Sequence, residues 1–354
     1  MHRFLVHHPA ELQSAFKAHN DEQYANVDEK SAMIRLISDG QRLSNGVWPK
    51  MPPADDVVQQ NEMRIRQVVR DTNERLYGEQ SVLCAVLSRW DAHERQTAVM
   101  QTWGKRCHRL LFFVAHSPND TTEQEASVAP VTVENLDATA RTQRIRLTMN
   151  DGHLKTWRKV RYAVRYVHGK GLMRHYRWFL RVDDDAFIIV ESLWRFLRTR
   201  DPDSPEYYGA EYKQHGGYVG TGPGLAISAQ NFERLARIME TRVCPKEDTH
   251  DDDVLIAKCL QILAIQTADS RDTRGRLRFL PMPFMEIVHS NAQRPAWMHQ
   301  WLKYKLNDGP DCCADNFIGF HYVSADEMRL FEVLIYNSPP YANRNDWLYD
   351  KYRT

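Results

Sequence analysis

The chain has 354 residues, of which 47 are basic and 46 acidic, so its formal net charge is only +1. This balance provides no long-range field for nucleic acid, and no basic run with interleaved aromatic residues is present. A hydrophobic content of 42% with 10% aromatic residues is typical of a folded globule and excludes a disordered chain. No stretch approaches the roughly 20 apolar residues that a membrane-spanning helix needs.

Residues 1–78 predict a helical stem rather than part of a catalytic domain. They are polar and helix-like, with a proline-rich break at residues 48–53 and few apolar residues between positions 55 and 77. The first nine residues are not a signal peptide, because their apolar core is too short. We therefore expect an exposed or partner-facing extension that precedes the folded domain.

From residue 81 onward, apolar strands alternate with amphipathic helices. The segment from Pro118 to Ala138 is polar and loop-like, and a helix is predicted from Leu154 to His168. Strands that alternate with helices predict an α/β fold with a mostly parallel central sheet flanked by helices. Neither a GxGxxG nor a GxxxxGK[ST] motif occurs, which argues against a dinucleotide site and a P-loop. The predicted strands cover residues 81–87, 110–114, 144–149 and 176–182.

Three adjacent aspartates, Asp183 to Asp185, directly follow the last of these strands. Carboxylates between apolar runs repel one another and are costly to bury unless positive charge lies among them. Mg²⁺ and Mn²⁺ prefer carboxylate oxygen, and open α/β sheets bind ligands at the carboxyl ends of their strands. The triplet therefore predicts a metal site, with a solvated acidic turn as the alternative.

A second acidic cluster, Asp251 to Asp253, opens a strongly apolar helical run at residues 254–260. Helix capping accounts for one or two of these carboxylates, because acidic groups in the first turn interact favourably with the helix dipole. A carboxylate fixed at the end of a buried helix is also suited to accept a proton as a general base. Spacing alone leaves both interpretations open.

His321 lies in an apolar stretch at residues 319–323, where a lone histidine is more often a hydrogen-bonded core residue than a ligand. As a ligand, a neutral imidazole would complement Asp185 on Mn²⁺ better than on Mg²⁺. The glycine-rich segment at residues 216–224 permits close backbone approach to a ligand, and a plain turn explains it equally well.

The cysteines favour an oxidising compartment. Local disulfides are predicted between Cys84 and Cys107 and between Cys244 and Cys259. A bond between the adjacent residues Cys312 and Cys313 would close a tight, strained ring. Zinc binding lacks the usual CxxC spacing, and buried free thiols remain the alternative. A possible N-glycosylation triplet at Asn119 points to the same compartment. The six residues are Cys84, Cys107, Cys244, Cys259, Cys312 and Cys313.

The run from Trp178 to Asp185 resembles the metal motif of the β1,3-glycosyltransferases grouped with fringe and the β3-galactosyltransferases (glycosyltransferase family 31). Residues 268–275, 309–315 and 319–323 narrow the resemblance to the core 1 β1,3-galactosyltransferases (T-synthases). The double-cysteine and Ser-Arg-Asp-Thr segments are specific to that branch, whereas the acidic triplet is shared more widely. The resemblance covers about residues 81–340.

This resemblance implies a GT-A glycosyltransferase fold over residues 79–354, with UDP-galactose as donor, Mn²⁺ as cofactor and inversion at the anomeric carbon. The acceptor would be N-acetylgalactosamine (GalNAc) on serine or threonine of a glycoprotein. By position, Asp183 and Asp185 match the Asp-x-Asp metal motif, and His321 matches the distal metal ligand. Asp253 matches the catalytic carboxylate, and Asp252 replaces the glutamate that usually precedes it.

The acceptor is the least defined part of the expected site, because the glycine-rich segment and residues 291–304 depart from the family pattern. The remaining expected site residues fall into two groups. Binding of the nucleotide sugar is assigned to Asp183, Asp184, Arg271 and Asp272. Stacking on the acceptor side is assigned to Tyr218, Trp297 and Tyr322, although each is equally typical of a protein core.

The resemblance also implies a homodimer in the Golgi lumen and a type II membrane protein whose anchor is missing from this chain. The alternatives are a related β1,3-glycosyltransferase with another donor, such as UDP-N-acetylglucosamine, or another acceptor, a non-catalytic chaperone-like paralogue, and a lectin-like module. A lectin gives no reason for Asp253. A chaperone does not need all four of the residues that this chain retains, which are Asp183, Asp185, His321 and Asp253.

Overall fold

The computed structural model describes residues 81–116, 132–289, 296–307 and 309–337. The predicted stem at residues 1–78 and the triplet at Asn119 lie outside this part of the chain and stay predictions. Among the helices that the structure describes, none is long and apolar enough to cross a bilayer.

An eight-stranded sheet forms the centre of the described fold, with the strand order β11–β7–β10–β5–β1–β2–β4–β3. The α/β class is confirmed, and the four neighbouring strands β5, β1, β2 and β4 run parallel as predicted. The sheet as a whole is mixed, because β10 pairs antiparallel with β5 and β7, and β3 pairs antiparallel with β4. Its strands are β1 (Val82–Ser88), β2 (Arg109–His116), β3 (Thr132–Asn135), β4 (Thr142–Asn150), β5 (Trp178–Asp183), β7 (Glu206–Tyr208), β10 (Leu225–Ser228) and β11 (Gln266–Thr267).

The central strands have continuous apolar sequences because helices and loops cover both of their faces. All seven residues of β1 and the six inner residues of β2 are buried. The four strands predicted from the sequence are therefore confirmed, with small shifts of their ends.

Helices cover the sheet, and α2, α4 and α5 pack on one face of it through a common core. Phe179 of β5 contacts Phe232 of α4 in this core, with ring centroids 4.5 Å apart. The apolar side chains of the sheet thus find partners among the helices that follow them in the chain. The helices are α1 (His93–Gln101), α2 (Thr156–Gly169), α3 (Val190–Leu197), α4 (Ala229–Met239), α5 (Asp252–Ile262), α6 (Phe284–Val288), α7 (Ala296–Trp301) and α8 (Ala325–Glu332).

The amphipathic helix predicted at Leu154 is confirmed as α2, in which Trp157, Val160 and Val167 are buried. Its predicted start is wrong, because Leu154 lies in a 3-10 turn before the helix and its side chain is 64% exposed. Trp157 is the first residue of the helix that is buried, and its backbone N–H donates to the carbonyl oxygen of Thr249 (3.0 Å).

The polar segment that was expected to be a loop contains the edge strand β3. All four residues of β3 are exposed, so no apolar pattern announces the strand. Backbone pairing with β4 holds it in place, and Glu134 accepts a hydrogen bond from Arg144 of β4 (2.7 Å). Here tertiary pairing overrides a loop-like sequence.

Two smaller sheets extend one end of the fold. In the first, the segment before His321 forms a strand beside the segment that follows the acidic triplet. The approach is close, because a Cβ at Gly319 would lie 2.6 Å from both Ile188 Cδ1 and the carbonyl oxygen of Pro223. The strands of the first sheet are β6 (Phe187–Ile188), β12 (Phe279–Leu280) and β13 (Gly319–Phe320). Those of the second are β8 (Ala210–Tyr212) and β9 (Tyr218–Gly220).

All six cysteines lie in the described residues, and all six are in disulfide bonds. The two local pairings expected from the sequence are confirmed, and the adjacent cysteines also bond to each other. Free thiols and a zinc site are therefore excluded as roles for these residues. The bonds join Cys84 to Cys107, Cys244 to Cys259, and Cys312 to Cys313.

Candidate functional site

The acidic triplet lies at the carboxyl end of the central strands. Asp183 is the last residue of β5, and the backbone N–H of Asp184 donates to the carbonyl oxygen of Leu87 in β1 (3.2 Å). Since β1 and β5 are parallel, both strands end at this edge, as predicted. The three carboxylates then diverge into two different environments.

Asp183, Asp185 and His321 converge on one point. One ligand atom from each of the three lies within 4.8 Å of the other two. His321 Nε2 is 3.0 Å from Asp185 Oδ1 and 3.6 Å from Asp183 Oδ2. Two carboxylates and an imidazole that meet in this way fit a divalent cation that accepts both oxygen and nitrogen ligands.

The backbone fixes His321 against the triplet. The N–H of Val323 donates to the carbonyl oxygen of Asp185 (2.7 Å), which ties the segment after His321 to the acidic triplet. Gly222 lies so close to the imidazole that a Cβ there would be 2.2 Å from Nδ1 of His321. The backbone hydrogen bond and the contact with Gly222 therefore hold the imidazole beside the carboxylates.

The Asp184 carboxylate is not part of this cluster. It accepts a hydrogen bond from the hydroxyl of Ser88 (2.6 Å) and lies 3.4 Å from a guanidinium nitrogen of Arg95. Burial, together with the nearby charge of Asp185, raises the pKa of Asp184 to about 6 against the opposing effect of the Ser88 hydrogen bond. Its assignment to nucleotide-sugar binding stays a prediction.

The second acidic cluster lies at the first turn of α5. Asp251 occupies the N-cap position but makes no side-chain capping hydrogen bond to the helix. Helix capping through the Asp251 side chain therefore does not explain this residue. Asp253 is partly exposed, and its carboxylate accepts a hydrogen bond from the N–H of Val254 (2.7 Å). Burial raises its pKa above that of an ordinary aspartate, and the charges of Asp251 and Asp183 add to the effect. Asp253 therefore lies within electrostatic range of the triplet.

Two of the three expected acceptor-side aromatic residues are described. Tyr322 is 53% exposed, and its ring stacks on that of His321, with centroids 3.9 Å apart. Tyr218 is buried and stacks on Tyr212 (5.0 Å), which favours a core role for this residue. Trp297 belongs to α7, but its side chain lies outside the described part of the structure.

The other two residues expected at the nucleotide sugar have partners of their own. Arg271 pairs with Asp269 (2.7 Å), and its guanidinium lies over the ring of Tyr304 (3.5 Å). Asp272 pairs with Arg276 (2.7 Å). Neither makes a described contact with Asp183, Asp185 or His321, and their assignment stays a prediction.

The Fringe-like family model matches residues 79–280, which is more than half of the chain. The protein belongs to the Fringe-like family. It is also similar to glycoprotein-N-acetylgalactosamine 3-beta-galactosyltransferase 1 of Xenopus laevis, with 29% identity over 243 residues that make up 68% of this chain. The matched part spans 61% of the length of that relative. The family resemblance drawn from the sequence is confirmed, and the mixed sheet with its flanking helices is compatible with a GT-A-like architecture.

Two residues that shape the site of this Fringe-like protein were not predicted from its sequence. Arg181 in β5 donates hydrogen bonds to Asp183 (2.8 Å) and to Asp252 (2.7 Å). Its signal was a charge two residues before the triplet within an otherwise apolar strand. Gly222 was noted only as part of a glycine-rich segment, because the imidazole that packs on it lies about a hundred residues further along the chain.

Replacing Gly222 by alanine is expected to weaken Mn²⁺ binding by about tenfold or more, a loss typical of residues that orient metal ligands. The added methyl group would overlap the ring of His321 and displace it from Asp185. Calorimetric titration with Mn²⁺ alone measures the effect. Gly169→Ala is the control, since nothing lies within 4 Å of a Cβ at that position. Unchanged affinity in Gly222→Ala would show that the imidazole does not bind the ion.

Proposed function

We propose that this protein is a glycosyltransferase that transfers galactose from UDP-galactose to the 3-hydroxyl group of GalNAc on serine or threonine, with inversion at the anomeric carbon. The observation that carries the proposal is the meeting of Asp183, Asp185 and His321 at the sheet edge, within electrostatic range of Asp253. The family and the name of the Xenopus relative support the class of reaction, the sugar and the acceptor.

Asp183, Asp185 and His321 would hold the divalent cation, and this mixture of oxygen and nitrogen donors favours Mn²⁺. Bound there, the ion supplies positive charge that stabilises a departing diphosphate. On the same proposal, Asp184, Arg271 and Asp272 contact the nucleotide sugar.

Asp253 is the proposed catalytic base. As the acceptor oxygen forms its bond to the anomeric carbon, its proton passes to the Asp253 carboxylate. The bond from that carbon to the diphosphate oxygen breaks, and UDP leaves with the electron pair. Asp253 suits this task because its raised pKa makes it a stronger base than an ordinary aspartate, and because the hydrogen bonds of Arg181 go to Asp183 and Asp252.

On the acceptor side, Tyr322 is the best-supported candidate for stacking on a sugar face, because its ring is half exposed beside His321. Tyr218 and Trp297 complete the proposed set. We also propose that the protein acts in the Golgi lumen as a homodimer and a type II membrane protein. The three disulfide bonds favour such an oxidising compartment.

The test is UDP release from UDP-galactose with Mn²⁺, measured with and without a peptide that carries GalNAc on serine or threonine. Release that depends on the acceptor and stops on addition of EDTA is the expected result. UDP binding without turnover would redirect the proposal to another donor or acceptor. An absence of UDP binding would favour a chaperone-like protein instead.

A further inference from the structure

Arg181 is a charged residue in the middle of the central strand β5. It pairs with Ala85 of β1 on one side and with Leu225 of β10 on the other. The side chain is 4% exposed and borders a cavity of about 20 Å³ whose other lining residues, such as Leu225 and Ile256, are apolar. A guanidinium in this environment is costly to desolvate unless carboxylates compensate it.

Its two compensating carboxylates belong to different parts of the site. One guanidinium nitrogen donates to Asp183 Oδ1 (2.8 Å), and the other donates to Asp252 Oδ2 (2.7 Å). Asp183 ends β5, and Asp252 opens α5, 69 positions further along the chain. The planar fork of Arg181 thus bridges a proposed metal ligand and the helix that carries the proposed base.

Asp252 is the more deeply buried of the two carboxylates that Arg181 contacts. It is buried, whereas Asp183 retains 31% side-chain exposure, and the hydroxyl of Thr221 lies 3.5 Å from the oxygen that Arg181 binds. The next residue in the same helical turn is Asp253. A shift of Asp252 would therefore move Asp253 with it, because both side chains extend from the first turn of α5.

Burying the Arg181 guanidinium with its two carboxylates carries a desolvation penalty, so it adds little to the stability of the fold. The Nε of Arg181 is buried and has no hydrogen-bond partner among the described residues. A buried ion pair of this kind is often no more stable than apolar side chains of similar volume. Stability alone therefore gives little reason for an arginine at this position.

We propose that Arg181 is a positioning residue that fixes the start of α5, and with it the Asp253 carboxylate, relative to Asp183. The role rests on the proposed function, since it concerns the distance between the metal site and the base. Arg181 contacts neither sugar nor reacting atom in this scheme. It acts through Asp252.

The test compares Arg181→Met, Asp252→Leu and the double variant in which both changes are combined. Arg181→Met leaves the buried Asp252 without its cation, and Asp252→Leu leaves Arg181 with only the partly exposed Asp183, so each is expected to lower Tm by about 10 °C. Each is also expected to lower kcat about 100-fold, because a displacement of about 1 Å is enough to cause such a loss. The double variant is expected to regain much of the Tm but none of the kcat. The KM for UDP-galactose should stay within about threefold in Asp252→Leu, because the metal ligands are unchanged.

Two controls separate positioning from folding. Arg106→Met removes another arginine in a carboxylate pair, whose side chain is 15% exposed and pairs with Glu332 (2.8 Å), and is expected to lower Tm without lowering kcat. Arg181→Lys keeps the charge but not the fork that reaches two carboxylates, so an intermediate loss of about tenfold in kcat is expected. A lysine variant as active as the unmodified protein would overturn the bridging role.

Full kcat in the double variant would overturn the proposal, because the pair would then serve stability alone. An inactive unmodified protein would overturn the proposed function, and this role with it. An active unmodified protein together with a fully active Arg181→Met variant would overturn the positioning role alone. The Tm measurements, made on metal-free protein, report independently of turnover whether Arg181 and Asp252 are coupled.

Discussion

Asp253→Asn is expected to lower kcat about 1000-fold while binding of UDP and Mn²⁺ is retained. The amide has nearly the shape of the carboxylate but cannot take the proton of the acceptor hydroxyl, and removal of a general base typically costs 10² to 10⁴ in rate. Steady-state kinetics with UDP-galactose and a GalNAc peptide measures the loss. Calorimetry with UDP and Mn²⁺ checks that the binding site is intact.

Asp251→Asn is the matched control for this variant. Asp251 belongs to the same acidic cluster, but its side chain is 55% exposed and it lies before the first turn of α5. The control is expected to keep kcat within about twofold, as is usual for exposed surface positions. Equal activity of Asp253→Asn and the unmodified protein would remove Asp253 as the base and reopen the capping interpretation.

Asp185→Asn and His321→Ala are each expected to weaken Mn²⁺ binding by more than about 100-fold and to lower turnover in parallel. Asp185→Asn replaces a charged oxygen ligand by a weaker neutral one, and His321→Ala removes the nitrogen ligand altogether. Either change should exceed the tenfold to 100-fold effect of residues that only orient ligands. Titration with Mn²⁺ alone measures the affinity. Activity assays across a range of Mn²⁺ concentrations show whether excess ion restores turnover.

Asp326→Asn controls for a general loss of negative charge near the site. This residue follows His321 closely in the chain, but it is 91% exposed and pairs with Arg329 on the surface (2.9 Å). The Asp326→Asn variant should bind Mn²⁺ with the same affinity as the unmodified protein. If Asp185→Asn and Asp326→Asn bound Mn²⁺ equally well, the carboxylate cluster would not be a metal site.

The sequence predicted the individual strands better than their arrangement. The runs that became β1, β2 and β5 are mostly apolar, with Arg181 as the charge inside β5, and such a pattern is typical of strands that are buried on both faces. Nothing within one strand specifies its neighbours, however. The antiparallel insertion of β10 between β5 and β7 follows from long-range pairing and was not anticipated. The edge strand β3 escaped prediction because its four side chains are all exposed.

The site shows the same division. The acidic triplet is local in sequence, so its density of charge within an apolar run was enough to predict a metal site. The contact between His321 and Asp185 spans 136 positions, and the residues alone offered it only as the less favoured alternative until the resemblance to a family supported it. From the residues alone, a core histidine was the preferred interpretation. The pairing of β13 with β6 is what brings His321 to the triplet.

The sequence by itself determined the α/β class, the central strands and the position of the acidic triplet, and it favoured the two local disulfides, because each depends on burial patterns or on spacing within a short segment. Only the tertiary structure decided which distant groups meet. Arg181 joins Asp183 to Asp252, and Gly222 supports the ring of His321. Such contacts depend on the order and register of strands, and a charge inside an apolar strand reveals its partner only after the chain has folded.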